Sequence, residues 1–503
     1  MNANERESDE GKAGTSFHTP EAIHPIAGSC GIPSRREFLR QSAMGLGTVA
    51  LAHLLAKDRL LAGDKNAHEQ GGLDLRPRRA HFAPQAKAVI LLFQNGGPSQ
   101  MELFDHKPEL TKRDGQVYAE KVEVLQPGNS NQLMASAFPF KKYGQCGMEL
   151  SDRLPHLASI ADELCLVRSM YSENNNHPQA LRLFLTGKTF PGRPTLGAWV
   201  SYALGTENQN LPAFVALRDP KGYNSGSSLN WDSGWLPAVY RGTEFQSQGS
   251  PVLNLHPAVE LPAGSQQADL ELLARLNEEH RRRFALEGDL EARIRHYELA
   301  ARMQVSAERT LDLASETEAT QKMYGMDQPA TADYGKRCLM ARRLVESGVR
   351  FVHVEAPIRT PWDSHSNLKQ GIEEIARKVD QPSAALIKDL KDRGLLESTI
   401  VVWTGEFGRL PVSQNGNGRD HNRNAFGLFV AGGGFKPGHI HGVTDDCGYR
   451  AVEGRVSCPD FTATLLNQLG LDHEQLTYYH NGRNETLTDP AVSKARVVDE
   501  VLA

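Results

Sequence analysis

Short apolar runs alternate along this chain with polar loops and with stretches of helical period. Lys87–Phe93 (KAVILLF), Leu164–Met170 (LCLVRSM), Leu211–Arg218 (LPAFVALR), Val349–Glu355 (VRFVHVE), Thr399–Thr404 (TIVVWT) and Phe426–Ala431 (FGLFVA) are predominantly apolar runs of strand length. Runs without polar alternation suit strands buried on both faces, as in a sheet covered by helices. Helical spacing marks Gln179–Leu185, Lys336–Ser347 and Asp460–Leu469, and a further helix after Asp380 that carries Leu386, Ile387 and Leu390 and stops at Gly394. That order of strands and helices predicts an α/β fold with a mainly parallel central sheet.

Two regions depart from the alternation. Residues 219–262 are loop-rich, with Trp231, Trp235 and Tyr240, and are expected to shape a pocket mouth. From Gln266 to about Thr320 Glu, Arg, Leu and Ala dominate, and Leu272, Leu273, Leu276, Phe284, Leu290, Ile294 and Tyr297 recur mostly at helical intervals. Two or three helices forming a separable lobe, a helical insertion over 266–320, are expected there.

The N-terminus reads as an address. Residues 1–33 are polar without apolar periodicity and are expected to be a disordered extension. Ser34-Arg35-Arg36-Glu37-Phe38-Leu39-Arg40, followed by the mildly apolar Ala43–Ala56, resembles the twin-arginine export signal S-R-R-x-F-L-K, with Arg40 for the final Lys. The segment 34–62 therefore implies the twin-arginine export machinery as a partner and a periplasmic or otherwise exported mature chain. Its apolar part is too short and too rich in Gly and Ala for a permanent membrane span.

Composition narrows the function. A net charge of -5 gives no case for nucleic acid as the main partner. The six cysteines show no C-x-x-C spacing, which excludes an obvious thiolate zinc site or redox motif. A Cys447–Cys458 pairing is left open.

Candidate chemistry gathers where apolar runs end, the edge at which open α/β sheets place ligands. The run ending at Thr404 leads into Gly405-Glu406-Phe407-Gly408-Arg409 and then Gly418-Arg419-Asp420-His421. The first run breaks into Gln94-Asn95-Gly96-Gly97-Pro98-Ser99, with Glu102 and Asp105 close behind. Another leads through Asn174-Asn175-Asn176 to His177 at a helix start. Asp363 and His365, two residues apart in a loop, can turn one oxygen and one nitrogen ligand to a single ion. Asp363, His365, Glu406, Asp420 and His421 are thus the ligands, or their supports, of a divalent metal that is Zn, Mn, Mg or Ca. Arg168, Arg409 or Arg419 is expected to clamp an anion.

The segments GGPSQ, SENNNHPQ, LFLTG, WDSHSN, DLKDRGLLESTIVVWTGEFGR, GRDHN, AGGG and LTYYHNGRN together resemble an exported bacterial family catalogued as domain of unknown function 1501, over roughly Phe82–Asp489. A more distant resemblance is to the sulfatase and alkaline phosphatase superfamily. RGLLESTIVVWTGEFG resembles that superfamily's strand followed by Asp-His-Gly or Asp-Asn-Gly, and HPQALRLFLTG resembles its signature C-S-P-S-R-A-A-L-L-T-G. DFTATLLNQLG resembles its closing helix. On this overlay Glu406 takes a metal-binding Asp position and Asn95 that of the first-strand metal Asp. His177 stands at the nucleophile, and Asp363, His365 and His421 lie where later metal ligands occur. The resemblance implies an alkaline phosphatase/sulfatase-like sandwich and a metal-dependent hydrolase of phosphate or sulfate esters, small-molecule or polysaccharide. Three residues depart from it: Asn95 is neutral, Phe407 replaces the usual His or Asn, and His177 replaces Cys, Ser or Thr. They support the alternative of a non-catalytic metal- or ligand-binding protein on the same scaffold, part of an exported complex. For His177 a ligand or acid–base role is preferred to a nucleophilic one.

Overall fold

A computed structural model describes residues 75–252, 262, 264–283, 288–357 and 361–503. The expected N-terminal extension and twin-arginine segment lie outside the described residues.

Strand β1 (Ala88–Phe93) is apolar throughout because helices cover both of its faces. Ala88, Ile90 and Leu92 enter one hydrophobic cluster, and Val89, Leu91 and Phe93 enter the other. The other strands of its sheet are β2 (Cys165–Tyr171), β3 (Phe214–Leu217), β4 (Thr243–Phe245), β5 (Phe351–Glu355), β6 (Thr399–Thr404), β7 (Phe426–Ala431), β8 (Ile440–His441) and β9 (Val456–Ser457). They form a nine-stranded sheet in the order β8-β2-β7-β6-β1-β5-β3-β4, with β9 also paired to β2. Only β7 runs antiparallel to its neighbours. The fold is therefore α/β with a mixed, mostly parallel sheet.

Helices α1 (His177–Thr186) and α2 (Leu196–Leu204) precede α3 (Ser265–Arg283), α4 (Gly288–Leu311), α5 (Ala332–Glu346), α6 (Leu368–Asp392) and α7 (Cys458–Gln468). Side chains of α1, α2 and α7 fill one cluster beside the sheet, through Leu181, Phe184, Trp199, Phe461 and Leu465. Those of α4, α5 and α6 fill the other, through Met303, Leu344, Ile375 and Leu386.

Two expectations change. Leu299, Met303, Ala307 and Leu311 of α4 recur every four residues and are buried in the same cluster as the sheet. The helix belongs to the core, not to a lobe of its own. The helix expected after Asp380 begins at Leu368 and continues through Pro382. Asp380 is buried inside it and accepts from the amides of His156 (2.8 Å) and Leu157 (2.9 Å). Cys447 and Cys458 are both free.

Register brings the chemistry together. Phe93 lies level with both Glu355 and Thr404, so β1, β5 and β6 end flush. The loops after these strands, and the loop from β2 into α1, emerge at one edge.

Candidate metal centre

At that edge one carboxylate is surrounded by three imidazoles. Asp363 Oδ1 lies 2.9 Å from His365 Nε2 and 3.1 Å from His421 Nε2, and Oδ2 lies 3.2 Å from His177 Nε2. The Nε2 atoms of His177 and His365 are both buried, and neither has another polar partner among the described residues. Each ring is fixed by its other nitrogen. His177 Nδ1 meets Glu406 Oε1 at 2.6 Å, His365 Nδ1 meets Gln414 Oε1 at 2.6 Å, and His421 Nδ1 meets the Asn175 carbonyl at 2.6 Å. In a neutral ring such acceptors hold the proton on Nδ1 and leave Nε2 for the site.

Local sequence explains the supports. Glu406 is fully buried, and its carboxylate accepts from the Gly96 amide at 2.9 Å as well as from His177. It stands behind His177 and not among the atoms around Asp363. The Gly-Gly-Pro turn lets chain segments touch: Gly97 has φ +67°, and a Cβ there would lie 2.7 Å from the Phe407 ring. Phe407 in turn packs on His177 and His421, with ring centroids 4.9 and 4.5 Å away. Gln100 pairs with the backbone of Arg409 in both directions (3.0 and 3.1 Å). Asn95 is wholly buried, and neither end of its amide has a partner.

Two of the three arginines have their guanidinium groups committed inside the protein. Arg409 is fully buried; its guanidinium bonds Asp363 Oδ1 at 2.7 Å and donates to the carbonyls of Gly97 (2.9 Å), Arg419 (3.0 Å) and Gly96. Arg419 is also fully buried and forms a forked ion pair with Glu102, whose other hydrogen bond comes from the Ser99 hydroxyl. Arg168 sits elsewhere, donating to the Gly442 carbonyl at 3.3 Å and lying 3.9 Å from Asp105. Asp420 forms a second group with His365 and His421 whose ligand atoms lie within 4.8 Å of one another, and its carboxylate is also tied to backbone. Its Oδ2 accepts from the amides of Leu125 and Gln126 (both 2.9 Å) and from Asn129 Nδ2 (3.0 Å), while Oδ1 accepts from the His421 amide at 2.8 Å.

Charge follows from these contacts. Burial opposes ionisation of His177, but the Asp363 and Glu406 carboxylates outweigh it and lift the imidazole to about 9. Asp363 itself raises His365. Burial, helped by the charges of Arg409 and His177, lowers His421 to about 4 although Asp363 opposes this. Burial alone would raise Asp363; its three imidazole neighbours and Arg409 hold it far below the usual carboxylate range. The side chains of Asp363, His365 and His177 keep 19, 19 and 13 % exposure, against 1 % for His421 and none for Glu406. The centre therefore opens to solvent on the His177–Asp363–His365 side.

Sequence reading missed Gln414 and the Asn175 carbonyl. Gln414 ends a short strand, Val412–Gln414, inside a segment that reads as a polar Gly/Asn loop; the only signal was the Val-Ser-Gln alternation.

Residues 86–502 match the family described as "Protein of unknown function (DUF1501)". The chain belongs to that family. No curated protein sequence matches it. Among solved structures, the PsFucS1 sulfatase from Pseudoalteromonas sp. is similar at 13% identity and a TM-score of 0.34, over 82% of this chain and 73% of that one. The phosphonate monoester hydrolase SpPMH from Silicibacter pomeroyi is similar at 12% identity and a TM-score of 0.30, over 68% and 72%. A magnesium-bound variant of TAB5 alkaline phosphatase is similar at 10% identity and a TM-score of 0.29, over 70% and 92%. Likeness at this level says nothing of chemistry, which has to be argued from the DUF1501 chain itself.

Proposed function

We propose that this DUF1501 protein is an exported, metal-dependent hydrolase of phosphate or sulfate esters, with small-molecule or polysaccharide esters as substrates. His421 carries the metal reading. A carbonyl can only accept, so Nδ1 facing Asn175 must hold the ring proton, and in a neutral ring Nε2 is then a lone pair. That lone pair lies 3.1 Å from a carboxylate oxygen, and two acceptors so close repel unless a cation joins them. Two more imidazoles bring their Nε2 atoms to the same carboxylate. Separations near 3 Å are what neighbouring ligand atoms show when each is about 2.0–2.1 Å from one ion.

His177, His421 and Asp363, whose ligand atoms lie within 4.8 Å of one another, would hold the ion, with His365 against the same carboxylate; imidazoles and a carboxylate suit Zn or Mn better than Mg or Ca. Glu406 orients His177, and Arg409 orients Asp363. A bound divalent cation supplies an acidified water and a positive charge for an anionic ester oxygen. The ester reading is supported by the overlay of His177, Asp363, His365, Glu406 and His421 on the superfamily's motif positions. The non-catalytic reading is favoured by a different observation, that Arg409 and Arg419 have no guanidinium face free for an anion.

Metal analysis separates these readings when followed by turnover assays on aryl phosphates and sulfates. Protein purified without chelator should hold stoichiometric first-row metal, and His365→Ala should lose metal and turnover together while its circular dichroism is unchanged. Absence of stoichiometric metal in the wild type sinks the metal reading. Metal without hydrolysis of any ester supports the binding protein.

Export is part of the same proposal, resting on Arg35-Arg36 ahead of the weak apolar stretch; no described helix is long and apolar enough to cross a membrane. Replacing both arginines by Lys should leave the precursor in the cytoplasm. Equal amounts of wild type and double variant outside the cytoplasm would refute it.

A further inference from the structure

Before the short strand Asn129–Leu133 the chain forms a strap over residues 119–128, exposed to solvent apart from Val122. Asp420 pins it, because its Oδ2 takes the Leu125 and Gln126 amides and the Asn129 side chain. Between these anchors the Pro127 carbonyl accepts from Gln414 Nε2 at 2.8 Å. The other end of the same amide, Gln414 Oε1, lies 2.6 Å from His365 Nδ1. Gln414 itself is only 1 % exposed.

These contacts leave one arrangement. The Pro127 carbonyl can only accept, so the NH2 end of Gln414 must face it and the oxygen must face His365. His365 must then donate from Nδ1, which in a neutral ring puts the lone pair on Nε2, beside Asp363. Turned over, the amide would set oxygen against oxygen at Pro127 and its NH2 against an imidazole N–H that has no other acceptor. We infer that Gln414 is a positioning residue through which the strap sets the tautomer of His365 and so couples strap closure to metal binding. The inference rests on the metal reading above. Coupling of this kind is reciprocal, so the metal also holds the strap down.

Two substitutions at Gln414 separate its two ends. Gln414→Ala removes both contacts. Gln414→Glu keeps an acceptor for His365 but has no N–H for Pro127. The test uses the full chain stripped with chelator, Zn²⁺ titration against a chromophoric competitor, and hydrogen–deuterium exchange of peptides covering 119–131. Gln414→Ala should weaken Zn²⁺ binding by about 10–100-fold, the usual cost of removing a partner that orients a ligating imidazole, and should speed strap exchange. Gln414→Glu should retain Zn²⁺ affinity while its strap exchanges as fast as in the Ala variant. Zn²⁺ should slow strap exchange in the wild type and not in Gln414→Glu.

If the wild type binds no Zn²⁺, the metal reading falls and this inference with it. If the wild type binds Zn²⁺ and Gln414→Ala binds it equally well, the inference alone is overturned. Equal loss of affinity in both variants also overturns it, since an acceptor would then not be what His365 requires. Should Gln414→Ala fail to fold, unchanged strap protection in Gln414→Glu overturns it.

Discussion

Asp363→Ala should abolish the proposed metal binding and cost several kcal/mol of folding stability at once. The carboxylate is the common neighbour of three Nε2 atoms, so without it the imidazoles have no anionic partner for a cation. The stability loss comes from Arg409. Its guanidinium is fully buried, and among the described residues Asp363 is the only carboxylate that accepts from it. Removing one partner of a buried pair leaves an uncompensated charge, at a cost of about 3–5 kcal/mol. The carbonyls that also accept from Arg409 put the expectation at the lower end of that range. Urea unfolding in the presence of chelator isolates this from the effect of metal, and elemental analysis reads the metal. Stability within roughly 1 kcal/mol of the wild type, the usual worth of one net hydrogen bond, would show that Arg409 does not need the carboxylate.

A loss of similar size is expected from Glu102→Ala, without any metal being involved. Glu102 and Arg419 are both entirely buried and joined by a fork, with Arg419 Nη2 2.8 Å and Nε 3.1 Å from Oε1. The remaining Arg419 donors go to the carbonyls of Leu410 (3.1 Å) and Met134 (2.8 Å), which carry no compensating charge. Glu102→Ala should therefore destabilise by about 3–5 kcal/mol, and Arg419→Met, which strands the carboxylate instead, by a comparable amount. Replacing both residues, Glu102→Ala with Arg419→Met, should cost less than the two single changes combined, because neither charge is then left alone. Denaturant unfolding of the four proteins completes the cycle. Additive single effects would mean that the pair is not coupled.

The buried strands could be read directly from the chain, since a strand covered on both faces must be apolar at nearly every position and few other segments are. The same reading placed Asn95, His177, Asp363 and Glu406 in loops after such strands. A mostly parallel sheet carries those loops to one edge, and of the four residues, Asp363 and His177 lie at the centre, with Glu406 directly behind. Helix α4 was readable as a helix but not as core, because its buried Leu299, Met303, Ala307 and Leu311 are spaced like the buried positions of any amphipathic helix, whatever that helix packs against.

Roles within the site were a different matter. Arg409 and Arg419 look like anion clamps from composition, because a residue type carries its charge but not its neighbours. Only the fold shows them buried with Asp363, Glu102 and backbone carbonyls. Arg168 lies three residues before the end of β2, where Asp105 and the Gly442 carbonyl hold it. Asp420 and Gln414 share a short polar segment with His421, and nothing in that segment says that a strap 290 residues earlier in the chain completes both (|i−j| = 294 for Gln126 and Asp420, 287 for Pro127 and Gln414). Local periodicity records which faces avoid water. The partners of a buried polar group come from distant parts of the chain, and the chain's own spacing holds no record of them until it is folded.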